Sequence, residues 1–281
     1  MLFFTQKGKC FWLRVYEIPE GGKTAKGRAI QNLINIEQDD KVKAFICTQD
    51  LKDEDYINSM FVVMATKKGQ VKKTSLEQYS RPRTNGINAI TVREGDELLE
   101  AKLTTGISQV VLAVKSGKAI RFEESNTRPM GRNASGVRGI SLKDADDEVI
   151  GMVTVNDLDS DILVVSEHGY GKRSNLDDYR ITNRGGKGVK TLSLTEKTGN
   201  LVAIKNVTDG DDLMIINRSG IAIRLGVDTL RVMGRATQGV RLINIKDDDS
   251  IAAVAKVMND EDEIQDVDDI DVTIEDNNDN S

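Results

Sequence analysis

"ITNRGGKGVKTL", residues 181–192, is the stretch whose reading decides the fold. Two glycines stand between Arg184 and Lys187, and a third follows at Gly188. A phosphate-gripping enzyme loop, a linker and one copy of a repeat all fit the stretch taken alone. A Walker loop is excluded, because Lys187 is followed by Gly188 and the glycine spacing is wrong. Self-similarity along the chain settles the choice. Five short apolar runs each end in a turn glycine: "LFFTQKG" (2–8), "FVVMATKKG" (61–69), "VVLAVKSG" (110–117), "ILVVSEHG" (162–169) and "LMIINRSG" (213–220). Their glycines, Gly8, Gly69, Gly117, Gly169 and Gly220, are spaced by 61, 48, 52 and 51 residues. A second glycine follows each one after 19, 17, 19, 19 and 19 residues: Gly27, Gly86, Gly136, Gly188 and Gly239. In four copies the next residue is Ile87, Val137, Val189 or Val240. The opening stretch is therefore the loop of the fourth of five units.

Each unit reads as strands. The apolar run is short, rich in β-branched residues and closed by a glycine turn. A second strand follows, such as "VKKTSL" (71–76) or "AIRFEE" (119–124). A loop then leads to the second glycine and a third strand, such as "GVRGISL" (136–142). After an acidic turn comes a last strand, for example "ELLEAKL" or "EVIGMV". Four strands in about 50 residues is the size of a propeller blade. The extra "TQDLKDEDYINS" (48–59) accounts for the long first spacing. The expectation is an all-β, propeller-like body of five four-stranded blades over residues 1–258, followed by a separate tail.

Composition bounds the function. Of 281 residues, 30% are charged and 38% apolar, as in a soluble globular protein. No apolar run approaches the length of a membrane span, and the N-terminus has no secretory pattern. Cys10 and Cys47 form no disulfide framework and no metal spacing, which fits a reducing cytoplasm. The net charge of −6 hides an asymmetry. Residues 259–281 hold 11 acids and no Lys or Arg, which leaves 34 acids against 39 bases in residues 1–258. A basic body thus carries an acidic tail, of the kind that stays solvated and disordered and here competes for the basic surface.

The bases recur in phase. Four residues after each first glycine stand Trp12, Lys73, Arg121, Arg173 and Arg224, with Lys72 and Lys172 just before two of them. The loop before each second glycine carries Lys23 and Lys26, Arg81 and Arg83, Arg128 and Arg132, Arg184 and Lys187, or Arg231 and Arg235. Arg28 follows Gly27, and Arg138, Lys190 and Arg241 stand two residues past their glycines. One position per blade traces a belt, and a belt of Lys and Arg suits a polyanion without reading its sequence. In this reading Gly185, Gly186 and Gly188 let the backbone approach a phosphate. Bending some 40 bp through a near half-turn costs roughly 10 kcal/mol by elastic reasoning, so several loops must engage together.

These residues resemble a known family, the C-terminal domain of the DNA gyrase A protein and its topoisomerase IV paralogue. The likeness lies in "FFTQKGKCFWLRVYEIPE", "ATKKGQVKKTSLEQYSRPRTNG", "IRFEESNTRPMGRNASGVRGI" and "VMGRATQGVRLI", and it covers residues 1 to about 258. It implies a β-pinwheel with strands exchanged between blades, wrapping double-stranded DNA on its outer rim. It also implies a gyrase catalytic core, made of the rest of the gyrase A protein and the gyrase B protein, that uses ATP and Mg, with no cofactor on this chain. The resemblance aligns the first unit here with the family's second blade. The family's box, Gln-Arg-Arg-Gly-Gly-Lys-Gly, is matched in its last five letters by Arg184–Gly188 of the fourth unit.

Rival readings are weaker. The one histidine, His168, lies in a turn without a catalytic partner, and no metal or catalytic residue is expected. Tyr79 and Tyr179 occupy a slot filled elsewhere by Ile18, Thr127 and Leu230, which marks a structural position. Trp12 is read as packing rather than base stacking. A protein-binding propeller would show exposed aromatics, yet aromatics are 4% here. The domain is expected to be monomeric.

Overall fold

The computed structural model describes residues 1–22, 25–246 and 249–258. The acidic tail and Lys23 lie outside the described residues. The first unit contributes β1 (Leu2–Thr5), β2 (Lys9–Trp12) and β3 (Val42–Ile46). The second contributes β4 (Phe61–Thr66), β5 (Gln70–Ser75), β6 (Ile87–Asn88) and β7 (Leu98–Thr104). The third holds β8 (Gln109–Val114), β9 (Lys118–Glu123), β10 (Val137–Arg138) and β11 (Val149–Val155). The fourth holds β12 (Asp161–Ser166), β13 (Tyr170–Asn175), β14 (Val189–Lys190) and β15 (Leu201–Val207). The fifth holds β16 (Asp211–Asn217), β17 (Ala222–Gly226), β18 (Val240–Arg241) and β19 (Ile251–Met258). The α-helix among the described residues, Glu54–Ser59, lies in the insertion and is capped by the Asp53 carboxylate.

A unit does not keep its four strands. The sheets run β3-β1-β2-β6, β7-β4-β5-β10, β11-β8-β9-β14, β15-β12-β13-β18 and β19-β16-β17. Each of the first four blades thus takes its outermost strand from the unit that follows, and the fifth is three-stranded among the described residues. The third strand is also shorter than the sequence implies, two residues in units two to five. After Gly27 the equivalent segment holds a single turn, Ile30–Asn32, instead of a strand.

Side-chain alternation builds the arrangement. Successive residues of a strand face opposite sides. Val62 and Met64 accordingly pack with Leu2 and Phe4 of the first unit, while Val63 and Ala65 pack with Val110 and Leu112 of the third. Val111 and Ala113 then meet Ile162 and Val164, and Leu163 and Val165 meet Leu213 and Ile215. The middle blades are buried on both faces by their neighbours, which explains the nearly continuous apolar runs. The inner strands β3, β7, β11, β15 and β19 pack side by side in that order. The result is an all-β, five-bladed, propeller-like arrangement. No packing of similar extent links β19 to β3 among the described residues.

The repeated glycines are set by this exchange. Gly188 has φ +68°, and a Cβ there would sit 2.6 Å from the Ala119 carbonyl oxygen of the preceding blade. Gly69 has φ +81°, and its Cβ would lie 2.9 Å from the carbonyl oxygen of Ile140. Both the turn and the close approach exclude a side chain.

Candidate nucleic-acid interface

The recurring basic positions divide into an inner and an outer set, and the inner set corrects the expected belt. Lys72, Lys73, Arg121, Lys172 and Arg173 are buried, between 0% and 8% exposed. Lys73 Nζ lies 2.9 Å from the buried Glu124 carboxylate and donates to the Gly106 carbonyl. Arg121 donates through its guanidinium to the carbonyls of Leu176 (2.7 Å) and Tyr179 (3.1 Å) and to Gln109 Oε1 (2.8 Å). Arg173 donates to the Leu230 carbonyl and pairs with Asp209 and Asp161. Trp12, in the same slot of the first unit, donates its indole N–H to the Tyr79 carbonyl at 2.9 Å. In units one, three and four this position reaches into the 3-10 turn of the next unit, and in unit two Lys73 reaches that turn's Glu124. It is an interblade clamp, and a long N–H donor is what it requires. Arg224 of the fifth unit is more exposed and bonds its own blade's Asp212 at 2.5 Å.

Lys72 and Lys172 are clamps of a second kind. Lys72 Nζ donates to the carbonyls of Ala89 and Arg132, both at 2.6 Å. Lys172 Nζ donates to the Gly234 carbonyl at 2.6 Å and to Thr237 Oγ1 at 3.0 Å. Each ammonium pins the loop of the following unit from beneath. Burial pushes Lys72 down to about 7 and Lys172 down to about 8, with the nearby Arg132 and Arg235 charges acting in the same direction.

The glycines of the opening loop also face protein. Gly185 donates its N–H to the Gly139 carbonyl at 2.6 Å, and its own carbonyl accepts from Ser141 Oγ at 2.7 Å. The Gly186 carbonyl accepts from the Ser141 N–H at 2.9 Å, and Gly188 abuts Ala119. Their close approach is to the neighbouring blade, which corrects the reading of these glycines as a phosphate cradle.

The outer set is different. Arg81, Arg83, Arg128, Lys187, Lys190 and Arg231 are exposed, and Arg132, Arg184 and Arg235 are half-buried. Lys26 and Arg28 are exposed in the first unit's loop. None of these eleven forms an ion pair with a carboxylate among the described residues. Hydrogen bonds chain the outer set together. Arg184 donates to the Arg138 carbonyl at 3.1 Å and to Asn126 O at 3.0 Å, and Arg235 donates to the Lys190 carbonyl at 2.9 Å. Each loop thus rests on the outermost strand of the preceding junction. Arg81, Arg83 and Arg132 line an open cleft of ≈ 360 Å³ with Glu77 and Gln78. Arg241 stacks over the Tyr170 ring, and its hydrogen bonds hold the phenol below its usual range.

The structure adds Arg180. It is exposed and directly follows the buried Tyr179, as Arg81, Arg128 and Arg231 follow the equivalent slot at short remove. The neighbouring parallel bridges, Lys73 to Pro129, Arg121 to Ile181 and Arg173 to Val232, fix that register. Aligning the loops on Tyr79 and Tyr179, instead of on the glycines, exposes the position in the sequence. Both tyrosines are fully buried, as a structural slot requires. His168 is a turn residue whose Nδ1 lies 3.3 Å from the Lys197 carbonyl.

A strand-exchanged, five-bladed propeller with cationic loops along its outer strands defines the class. The model of the DNA gyrase C-terminal domain, a beta-propeller, matches residues 1–49, 61–105, 109–156, 160–208 and 211–258, and the chain belongs to that family. It is 46% identical over 265 residues to the A subunit of DNA gyrase from Staphylococcus aureus strain MRSA252, covering 94% of this chain and 29% of that protein. The same protein from strain NCTC 8325 is 45% identical over 262 residues, 92% of this chain and 29% of that protein. The chain therefore spans about three-tenths of the length of the relatives it matches. A topoisomerase IV C-terminal domain superposes with a TM-score of 0.83 at 24% identity, covering 92% of this chain and 79% of that one. A DNA gyrase A C-terminal domain superposes at 0.77 with 22% identity, covering 92% and 82%. At these identities the superpositions speak to the fold alone. No helix among the described residues is long and apolar enough to cross a membrane.

Proposed function

We propose that this chain binds duplex DNA without sequence preference and wraps it along the outer rim, as the wrapping domain of a DNA gyrase. The observation that carries the reading is the outer set of cations. They lie on the outermost strands and their covering loops, free of carboxylate partners among the described residues and linked from blade to blade. Phosphates supply the missing counter-charge, and release of condensed cations supplies affinity. A gyrase role, rather than a topoisomerase IV role, is favoured by the 46% identity to a gyrase A protein. In that role the wrapped segment is presented to a catalytic core formed by the rest of the gyrase A protein and the gyrase B protein, where ATP and Mg act. No cofactor is assigned to this chain, and its expected setting is the bacterial cytoplasm at the nucleoid.

The test is topological. Relaxed circular DNA is incubated with the protein and a nicking-closing enzyme, and its linking number is read on a gel. A shift that grows with protein is expected, whereas an unchanged linking number removes the wrapping claim. The paired variant Arg184→Ala, Lys187→Ala is expected to weaken binding and to flatten its dependence on log salt by about 1–2.

A further inference from the structure

Lys118 belongs to none of the recurring basic positions, yet the fold places it beside two of them. In the pairing of β9 with β14, Lys118 stands directly opposite Lys190. Opposed residues of an antiparallel pair carry their side chains on one face, with Cβ atoms about 5 Å apart. Arg235, from the loop of the next unit, donates its guanidinium N–H to the Lys190 carbonyl at 2.9 Å. Three cations from three successive units thus converge on one spot of the rim. No ion pair is made by any of them among the described residues. The carboxylate contact at this spot, from Asp178 at 3.3 Å, goes to the backbone N–H of Arg235.

The corresponding pairs elsewhere carry no such conflict. Arg138 faces Gln70, Arg241 faces Tyr170, and Lys9 faces Asn88. Two like charges directly opposed across a pair of strands destabilise the sheet, and no carboxylate among the described residues relieves them. A bound anion does. We infer that Lys118, Lys190 and Arg235 form a composite phosphodiester site, the strongest single point of attachment on the rim. The site exists only where the third, fourth and fifth units are stacked in order, so it couples the assembly of the blades to DNA binding. This inference rests on the rim being a DNA surface.

The test uses Lys118→Glu and Lys118→Ala in the full chain, with thermal unfolding without DNA and duplex binding as separate readouts. Removing the repulsion raises the unfolding temperature at low salt by roughly 1–3 °C in Lys118→Ala. Lys118→Glu raises it further, because Lys190 then has a partner, and both gains shrink in 0.5 M salt. Binding of a 40-bp duplex weakens about tenfold in Lys118→Glu, and the salt slope of Lys118→Ala falls by about 0.9. An unchanged or lowered unfolding temperature in both variants, or unchanged binding by Lys118→Glu, overturns the site. If the wild-type protein itself fails to bind duplex DNA, the wrapping function falls, while the unfolding temperatures still report on the cationic cluster.

Discussion

Replacing Arg121 with alanine separates the two roles of the basic residues. The side chain is 5% exposed and supplies N–H donors to the Leu176 and Tyr179 carbonyls and to Gln109 Oε1. Truncation leaves these acceptors beneath the next unit without a donor and opens space between the third and fourth blades. An unsatisfied buried polar group costs about 1–3 kcal/mol, and the interblade geometry is lost with it, so a destabilisation of about 3–5 kcal/mol is expected. For a body of this size that lowers the unfolding temperature by roughly 10 °C. The paired change Arg184→Ala, Lys187→Ala removes groups at the surface and is expected to shift it by less than about 2 °C. DNA binding behaves in the opposite way. Measured by anisotropy at a temperature where both variants are folded, the slope against log salt stays at the wild-type value for Arg121→Ala and falls for the loop variant. Circular dichroism melts and salt titrations together separate the two effects. An Arg121→Ala protein that melts within about 2 °C of wild type, yet loses about one unit of salt slope, would refute the assignment of this position to the interior.

Other perturbations follow from the same geometry. Lys72 has a folded-state value of about 7 against 10.5 for a free lysine. Between those values the unfolded chain holds the proton that the folded chain has released, so stability rises with pH across that window. Urea unfolding at pH 6.5 and 9.5 is expected to show this rise in the wild-type protein and a smaller one in Lys72→Met. Gly188→Ala, at φ +68° with the Ala119 oxygen 2.6 Å away, is expected to cost more than about 2 kcal/mol. Gly27→Ala, at φ +70° with open space around it, is expected to cost about 1 kcal/mol in the same melts. Deleting residues 259–281, with 11 acids and no bases, is expected to tighten DNA binding at low salt. Equal affinities with and without the segment would assign it to solubility.

Much of the fold was legible because each repeat carries its own constraints. The glycine pairs at 17 or 19 residues mark a turn and a close approach, and the runs such as Val110–Val114 mark strands covered on both faces. Strand exchange was implied by the family resemblance and not by the residues, since "GVRGISL" pairs equally well in its own blade or in the previous one. The site was half legible. Lys73, Arg121 and Arg173 recur like surface bases, but a loop from the next unit covers them, and a single unit's sequence does not announce that cover. The clue was Trp12, an N–H donor without charge in the same slot. Arg180 was missed because the loops were aligned on glycine and not on the tyrosine slot. Lys118 and Lys190 lie 72 residues apart and meet only through the exchange of β14.

The backward loan of one strand from unit to unit has an evolutionary consequence. The junctions are plugs and sockets of the same gauge: a Gly-Val or Gly-Ile pair seated on the strand that follows a glycine turn. Excising or duplicating an internal unit leaves a plug facing a socket that accepts it. Blade number in this architecture is therefore adjustable by whole-repeat recombination, and with it the arc of rim offered to a bound polymer, without redesign of a single junction.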